Sequence, residues 1–174
     1  MESVAFALRE LQAFLHAGGT VLYAVAALSF LMWAMVFDRL WYLHIVLPHD
    51  VATTVAVWEA RSERRSWNAR QVRRALLARL DARVQRNLAL IRACASLCPL
   101  LGLLGTVTGM LLVFEALSLG GGDAHTLADG VARATIPTMA GMVAAISGVL
   151  ASAWVARLAR RELALAEDRL TADH

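Results

Sequence analysis

The sequence predicts an all-α integral membrane protein with three transmembrane helices and cytoplasmic helical extensions. Three observations lead there. Hydrophobic residues make up 59% of the 174 residues and mean hydropathy is +0.56, more apolar than a soluble domain of this size. Three uncharged runs, residues 18–37, 93–114 and 134–156, are 20, 22 and 23 residues long, and about 20 apolar residues cross a bilayer. All 17 basic residues are arginines, and 11 of them lie in residues 38–92, the kind of positive excess that marks the cytoplasmic side.

The elements follow in order. Residues 1–17 carry an apolar stripe, Val4, Leu8, Leu11 and Leu15, that predicts an interfacial helix on the outer face. Residues 18–37 form the first span. Its flank is not that of a cleaved signal: Arg9 is the lone basic residue before it, set between Glu2 and Glu10, and Arg39 lies on the far side, which predicts a retained span. Trp41 and Tyr42 stand where an interfacial aromatic belt belongs.

Residues 38–92 hold no glycine and a single proline, Pro48. Val72, Leu76, Leu80, Val84, Leu88 and Ile91 recur at helical spacing with Arg70, Arg73, Arg74, Arg79, Arg83 and Arg86 between them. This predicts an amphipathic cytoplasmic helix running directly into the second span. Its arginines suit neighbouring helices and lipid headgroups, so the net charge of +3 needs no nucleic-acid partner. Residues 93–114 are the second span, 115–133 an outer connection containing SLGGGDAH, 134–156 the third span, and 157–174 a charged cytoplasmic helix. The arginine distribution places the N-terminus outside and the C-terminus inside. Pro99 and Pro137 fall near the starts of their spans, where a missing N–H costs little. Cys94 and Cys98, four apart, suit packing; the spacing disfavours a disulfide and a zinc site lacks partners. No metal, cofactor or catalytic set is expected, and an enzyme has no support.

The second and third spans share a design. At about 100° per residue, Cys98, Gly102, Gly105, Thr106, Gly109 and Val113 fall within roughly 100° of arc, with Leu97, Leu100, Leu101, Leu104 and Leu111 opposite. In the third span, Ala134, Thr138, Gly141, Ala145, Gly148, Ser152 and Ala156 fall within about 80°, opposite Met139, Val143, Ile146, Leu150 and Trp154. Small faces let helix backbones approach closely. The first span has large side chains around most of its girth and reads as peripheral. Two readings stay open: the small faces pack the three helices together, or several copies assemble so that the faces line a central cavity, with Thr106 and Thr138 offering hydroxyls. No Asp, Glu, His or Lys lies within any of the three runs. A proton path normally needs an ionisable group at membrane depth, so a carboxylate would have to come from another chain. Arg133, at the mouth of the third span, is either a snorkelling boundary residue or a mouth contact.

The blocks PLLGLLGTVTGMLLVF and LADGVARATIPTMAGMVAAISGVL resemble the MotA/TolQ/ExbB proton-channel family, most closely its ExbB branch, over about residues 92–158. The resemblance implies a ring-shaped homo-oligomer, a pentamer, in the bacterial inner membrane, with a periplasmic N-terminus. It implies an ExbD-type single-span partner whose aspartate carries the protons, and coupling to a TonB-type protein that powers outer-membrane import. Thr106 and Thr138 match the family's pore threonines. Gly102, Gly105, Gly109, Gly141, Ala145 and Gly148 then form the helix-packing and pore face, with Arg133 at the pore mouth. One departure stands out: the family pattern has a glutamate five residues before the second threonine, where this chain has Arg133. The short inner segment argues against a flagellar-motor subunit. The alternatives are a TolQ-like envelope-maintenance subunit and a non-conducting membrane scaffold.

Overall fold

In a computed structural model, the residues described are 5, 6, 9, 10, 14, 16, 18–60, 67–118 and 124–169, and the fold among them is almost entirely helical. Helix α1 is Gly19–Trp41. A π-helical stretch, Tyr42–Val46, carries it into α2, Leu47–Glu59. Helix α3 is Trp67–Gln85, α4 is Leu88–Ser118 and α5 is Ala124–Arg169. Three helical stretches among the described residues are long and apolar enough to cross a membrane. The stripe Val4, Leu8, Leu11 and Leu15 predicted for the N-terminal helix lies outside the described residues.

Two compact units share these helices. The first comprises Met1–Trp33 and Arg92–Val149; the second comprises Ala34–Ile91 and Leu150–His174. In the first, α1 buries Leu22, Val25 and Met32, α4 buries Cys94, Ala95 and Cys98, and α5 buries Ala134, Pro137 and Ala145. The leucines facing away, Leu97, Leu100, Leu103, Leu104 and Leu111, stay exposed, as a lipid-facing surface requires. The two cysteines are free thiols in this packing.

In the second unit, Trp58 of α2 packs on Ala69 of α3, joined by Val55, Leu76 and Leu77. The predicted amphipathic stripe is inward: Leu80, Val84, Leu88 and Ile91 are buried, while Arg70, Arg74, Arg79, Arg83 and Arg86 are exposed. Arg73 reaches the last helix, with its Nη2 3.3 Å from the Glu167 carbonyl and 3.6 Å from the Glu167 carboxylate.

Several details refine or differ from the sequence reading. The arginine-rich helix does not run straight into the second span. It breaks at Asn87, whose φ is +67°, and α4 restarts where the Ile91 N–H donates to the Asn87 carbonyl at 3.0 Å. Asparagine tolerates the left-handed conformation that ends many helices. Within the predicted connection 115–133, residues 115–118 and 124–133 are helical, and 119–123 lie outside the described residues. Charges limit how deep a segment sits in lipid; they do not stop the helical hydrogen-bond ladder. For the same reason Pro99 and Pro137 stand inside their helices, not near the starts. The inner segment, finally, is several pieces: a π-helical stretch, then α2 with Pro48 in its first turn, where proline's missing N–H is harmless.

Candidate functional site

The small faces of α4 and α5 meet each other inside one chain. A methyl group added at Gly102 would lie 2.9 Å from the Pro137 carbonyl oxygen and 2.9 Å from Thr138 Cα. One added at Gly141 would lie 2.5 Å from the Cys98 carbonyl oxygen and 3.2 Å from Gly102 Cα. Backbone therefore touches backbone here, which only glycine permits. Along the same seam Gly109 faces Ala134, at 2.7 Å from its Cβ to an added methyl, and Gly130 faces Val113. Gly105 faces Pro137 and, from α1, Val21; Gly148 faces Met32 of α1 and Ala95. Ala145, on the same face of α5 by spacing, is buried. The five predicted packing glycines are thus drawn into the helix interface of a single chain.

Close approach has a polar consequence. The Thr138 hydroxyl donates to the Gly102 carbonyl across the seam at 2.9 Å. A side chain at residue 102 would push the two helices apart and break that bond. The hydroxyls of Thr106, Thr108, Thr135 and Ser147, by contrast, turn back on their own helices. Thr106 donates to Leu103 at 2.7 Å, Thr108 to Leu104 and Gly105 at 3.0 and 3.1 Å, Thr135 to Ala132 at 2.7 Å, and Ser147 to Ala144 at 2.8 Å. Such back-bonding satisfies a hydroxyl without a partner, which suits an apolar medium.

The two predicted pore threonines are therefore not equivalent. Thr138 sits in the seam. Thr106, at the edge of the small arc, borders a shallow groove of about 290 Å³ with Val107, Met110, Leu111 and Phe114. Arg133 is exposed on α5, between Ala132, whose carbonyl holds Thr135, and the buried Ala134. Neutral hydroxyls can pass or accept a hydrogen bond, but they cannot hold a net proton near neutral pH. No group of three His, Cys, Asp or Glu able to hold a metal occurs among the described residues.

Sequence reasoning missed three participants. Pro137 fills the space beside Gly105, and Val21 and Met32 bring the first span onto the glycines. Nothing in periodicity marks these residues, because each is an ordinary apolar position until the helices are paired. The other omission is a polar cluster in the second unit, built from Arg39, Tyr42, Asp50 and Arg83. Its members lie as much as 44 positions apart, so no local pattern announces them.

Comparison with known proteins fits this geometry. A 73-residue stretch is 45% identical to a Synechocystis sp. biopolymer transport protein named ExbB-like 1, covering 40% of this chain and 29% of that protein. An 83-residue stretch is 32% identical to ExbB-like 3 of the same organism, covering 46% of this chain and 40% of that protein. The matches span less than half the length of either curated relative. The sequence profile of the MotA/TolQ/ExbB proton channel family matches residues 49–168, which include both small faces and the seam between them, and the chain belongs to that family.

Proposed function

We propose that this chain is the channel-forming, stator-like subunit of an inner-membrane complex that couples the proton motive force to TonB-dependent outer-membrane import. Family membership supports the channel class, and the observation that carries the mechanism is the uncharged hydroxyl-bearing seam. The apolar runs supply no Asp, Glu, His or Lys, so an ExbD-type single-span partner contributes the aspartate that carries each proton. Identical copies form a ring, a pentamer by family likeness, with α4 and α5 nearest its axis. The partner's aspartate loads from the outer side, passes the level of Thr106 and Thr138, and releases inward. The Thr138 oxygen, whose O–H donates a hydrogen bond to the Gly102 carbonyl, keeps lone pairs that accept a hydrogen bond from a protonated carboxyl or a water. Arg133 stands at the outer mouth. The chemistry is proton relay and mechanical coupling, with no covalent step.

One observation favours a second reading, a non-conducting scaffold: the glycines are already occupied by this chain's own helices. The test is native mass spectrometry of the chain co-expressed with its aspartate-bearing partner, followed by proton flux in proteoliposomes. A ring holding fewer partner chains, whose flux falls at least tenfold in Thr106→Val and Thr138→Val while assembly persists, upholds the channel. Normal assembly and coupling in both variants would select the scaffold. Loss of the TonB-type protein separates import service from a TolQ-like envelope role, which would continue without it.

A further inference from the structure

The second unit holds a cavity of about 320 Å³ lined by Asp38, Arg39, Tyr42, Asp50, Arg83 and Arg86. Three guanidinium groups face two carboxylates there, leaving one positive charge in excess. Asp50 pairs with Arg83, but neither carboxylate is well placed to neutralise Arg39 or Arg86. Asp50 commits one oxygen, Oδ2, to both the Tyr42 hydroxyl at 2.9 Å and Arg83 Nη1 at 3.1 Å. Asp38 approaches Arg39 Nε only at 4.0 Å, and its side chain is 67% exposed, so water screens most of that attraction.

Arg39 is the unusual member. Its side chain is 6% exposed. It lies over the Tyr42 ring at 5.4 Å and donates through Nη1 to the Arg83 carbonyl at 3.2 Å, while Nε has no hydrogen-bond partner. A buried guanidinium with an unmet donor is costly unless an anion compensates it. Arg86 makes matters worse, because its charge repels that of Arg39. Arg86 itself is exposed, with no hydrogen bond or ion pair among the described residues.

We propose that this cavity binds a phosphate-bearing anion, held by the forks of Arg86 and Arg83 above the buried charge of Arg39. Guanidinium groups match phosphate oxygens in pairs, and the cavity is within the size range of small-ligand sites. The cluster begins with Asp38, directly after the 18–37 apolar run, the kind of position at which basic side chains meet lipid phosphates. A phosphodiester headgroup and a soluble phosphate share the same chemistry. The inference is independent of the channel reading, since its readout is anion binding and not proton flux.

The test uses the full chain, delipidated in neutral detergent. Native mass spectrometry follows retention of added phosphatidylglycerol against phosphatidylcholine, and calorimetry follows inorganic phosphate. Binding should fall about tenfold in Arg86→Gln, the loss of one charge-assisted pair. It should fall less in Arg86→Lys, which keeps the charge without the fork, and stay unchanged in Arg74→Gln, an exposed arginine outside the cavity. Circular dichroism checks that helicity is retained. Phosphatidylglycerol retained and not displaced by phosphate identifies a lipid headgroup; displacement by phosphate identifies a soluble anion, and both uphold the site. Equal binding by Arg86→Gln and the parent chain, an equal loss in Arg74→Gln, or no binding of either probe overturns it.

Discussion

At Gly141 the closest atom to an added methyl is a backbone oxygen, that of Cys98, and backbone cannot yield without moving a whole helix. Gly141→Ala should therefore cost about 1–3 kcal/mol and lower the thermal unfolding midpoint in detergent. Gly148→Ala meets first the flexible end of Met32 and should cost visibly less in the same assay. The threonines separate in the same way. Thr138→Val removes a bond between helices and should cost about 0.5–1.5 kcal/mol, with Thr138→Ser restoring most of it. Thr106→Val removes only a bond to its own helix and should leave the midpoint nearly unchanged. Both threonines were legible as hydroxyls on a small face. Their difference was not, because it depends on which side chain of the facing helix is missing, and here that is Gly102's.

At the level of the helix, Asn87 joins the arginine-rich α3 to the membrane-crossing α4. Its positive φ penalises any β-branched replacement, so Asn87→Val should cost about 1–2 kcal/mol. Asn87→Gly, which enters this conformation freely, should be neutral or stabilising, and chemical unfolding of the two variants side by side checks the order. The stripe from Val72 to Ile91 was readable as one amphipathic face, and Leu80, Val84, Leu88 and Ile91 of it are buried. The break between them was not, since an unbroken apolar period crosses it and a lone asparagine is a weak stop signal. The prolines teach the converse. Pro99 and Pro137 look like helix starts when the apolar run is taken for the helix. The helices, however, extend well beyond the lipid-compatible segment, and proline inside a membrane helix is tolerated where neighbours pack against it.

For the molecule as a whole, the arginine asymmetry predicts the orientation of the chain, and it can be checked directly. Cys94 and Cys98 are buried, so a single added cysteine should report alone. Ser118→Cys should react with a membrane-impermeant maleimide added to the outer side of intact cells, whereas Ala164→Cys should react only after lysis. The reverse pattern would invert the proposed proton path. The sequence by itself determined that the protein is helical, that three stretches can cross a membrane, and which face of the second and third spans is small. These are properties of local composition and of the helical repeat, which act along the chain. The tertiary structure decided what those faces touch: α4 against α5 at backbone distance, with Val21 and Met32 of α1 closing over the glycines, and Arg39, Asp50 and Arg83 gathered from distant segments into one charged cavity. Contacts between helices depend on the relative rotation and depth at which they pair, and no periodicity along a single helix carries that information.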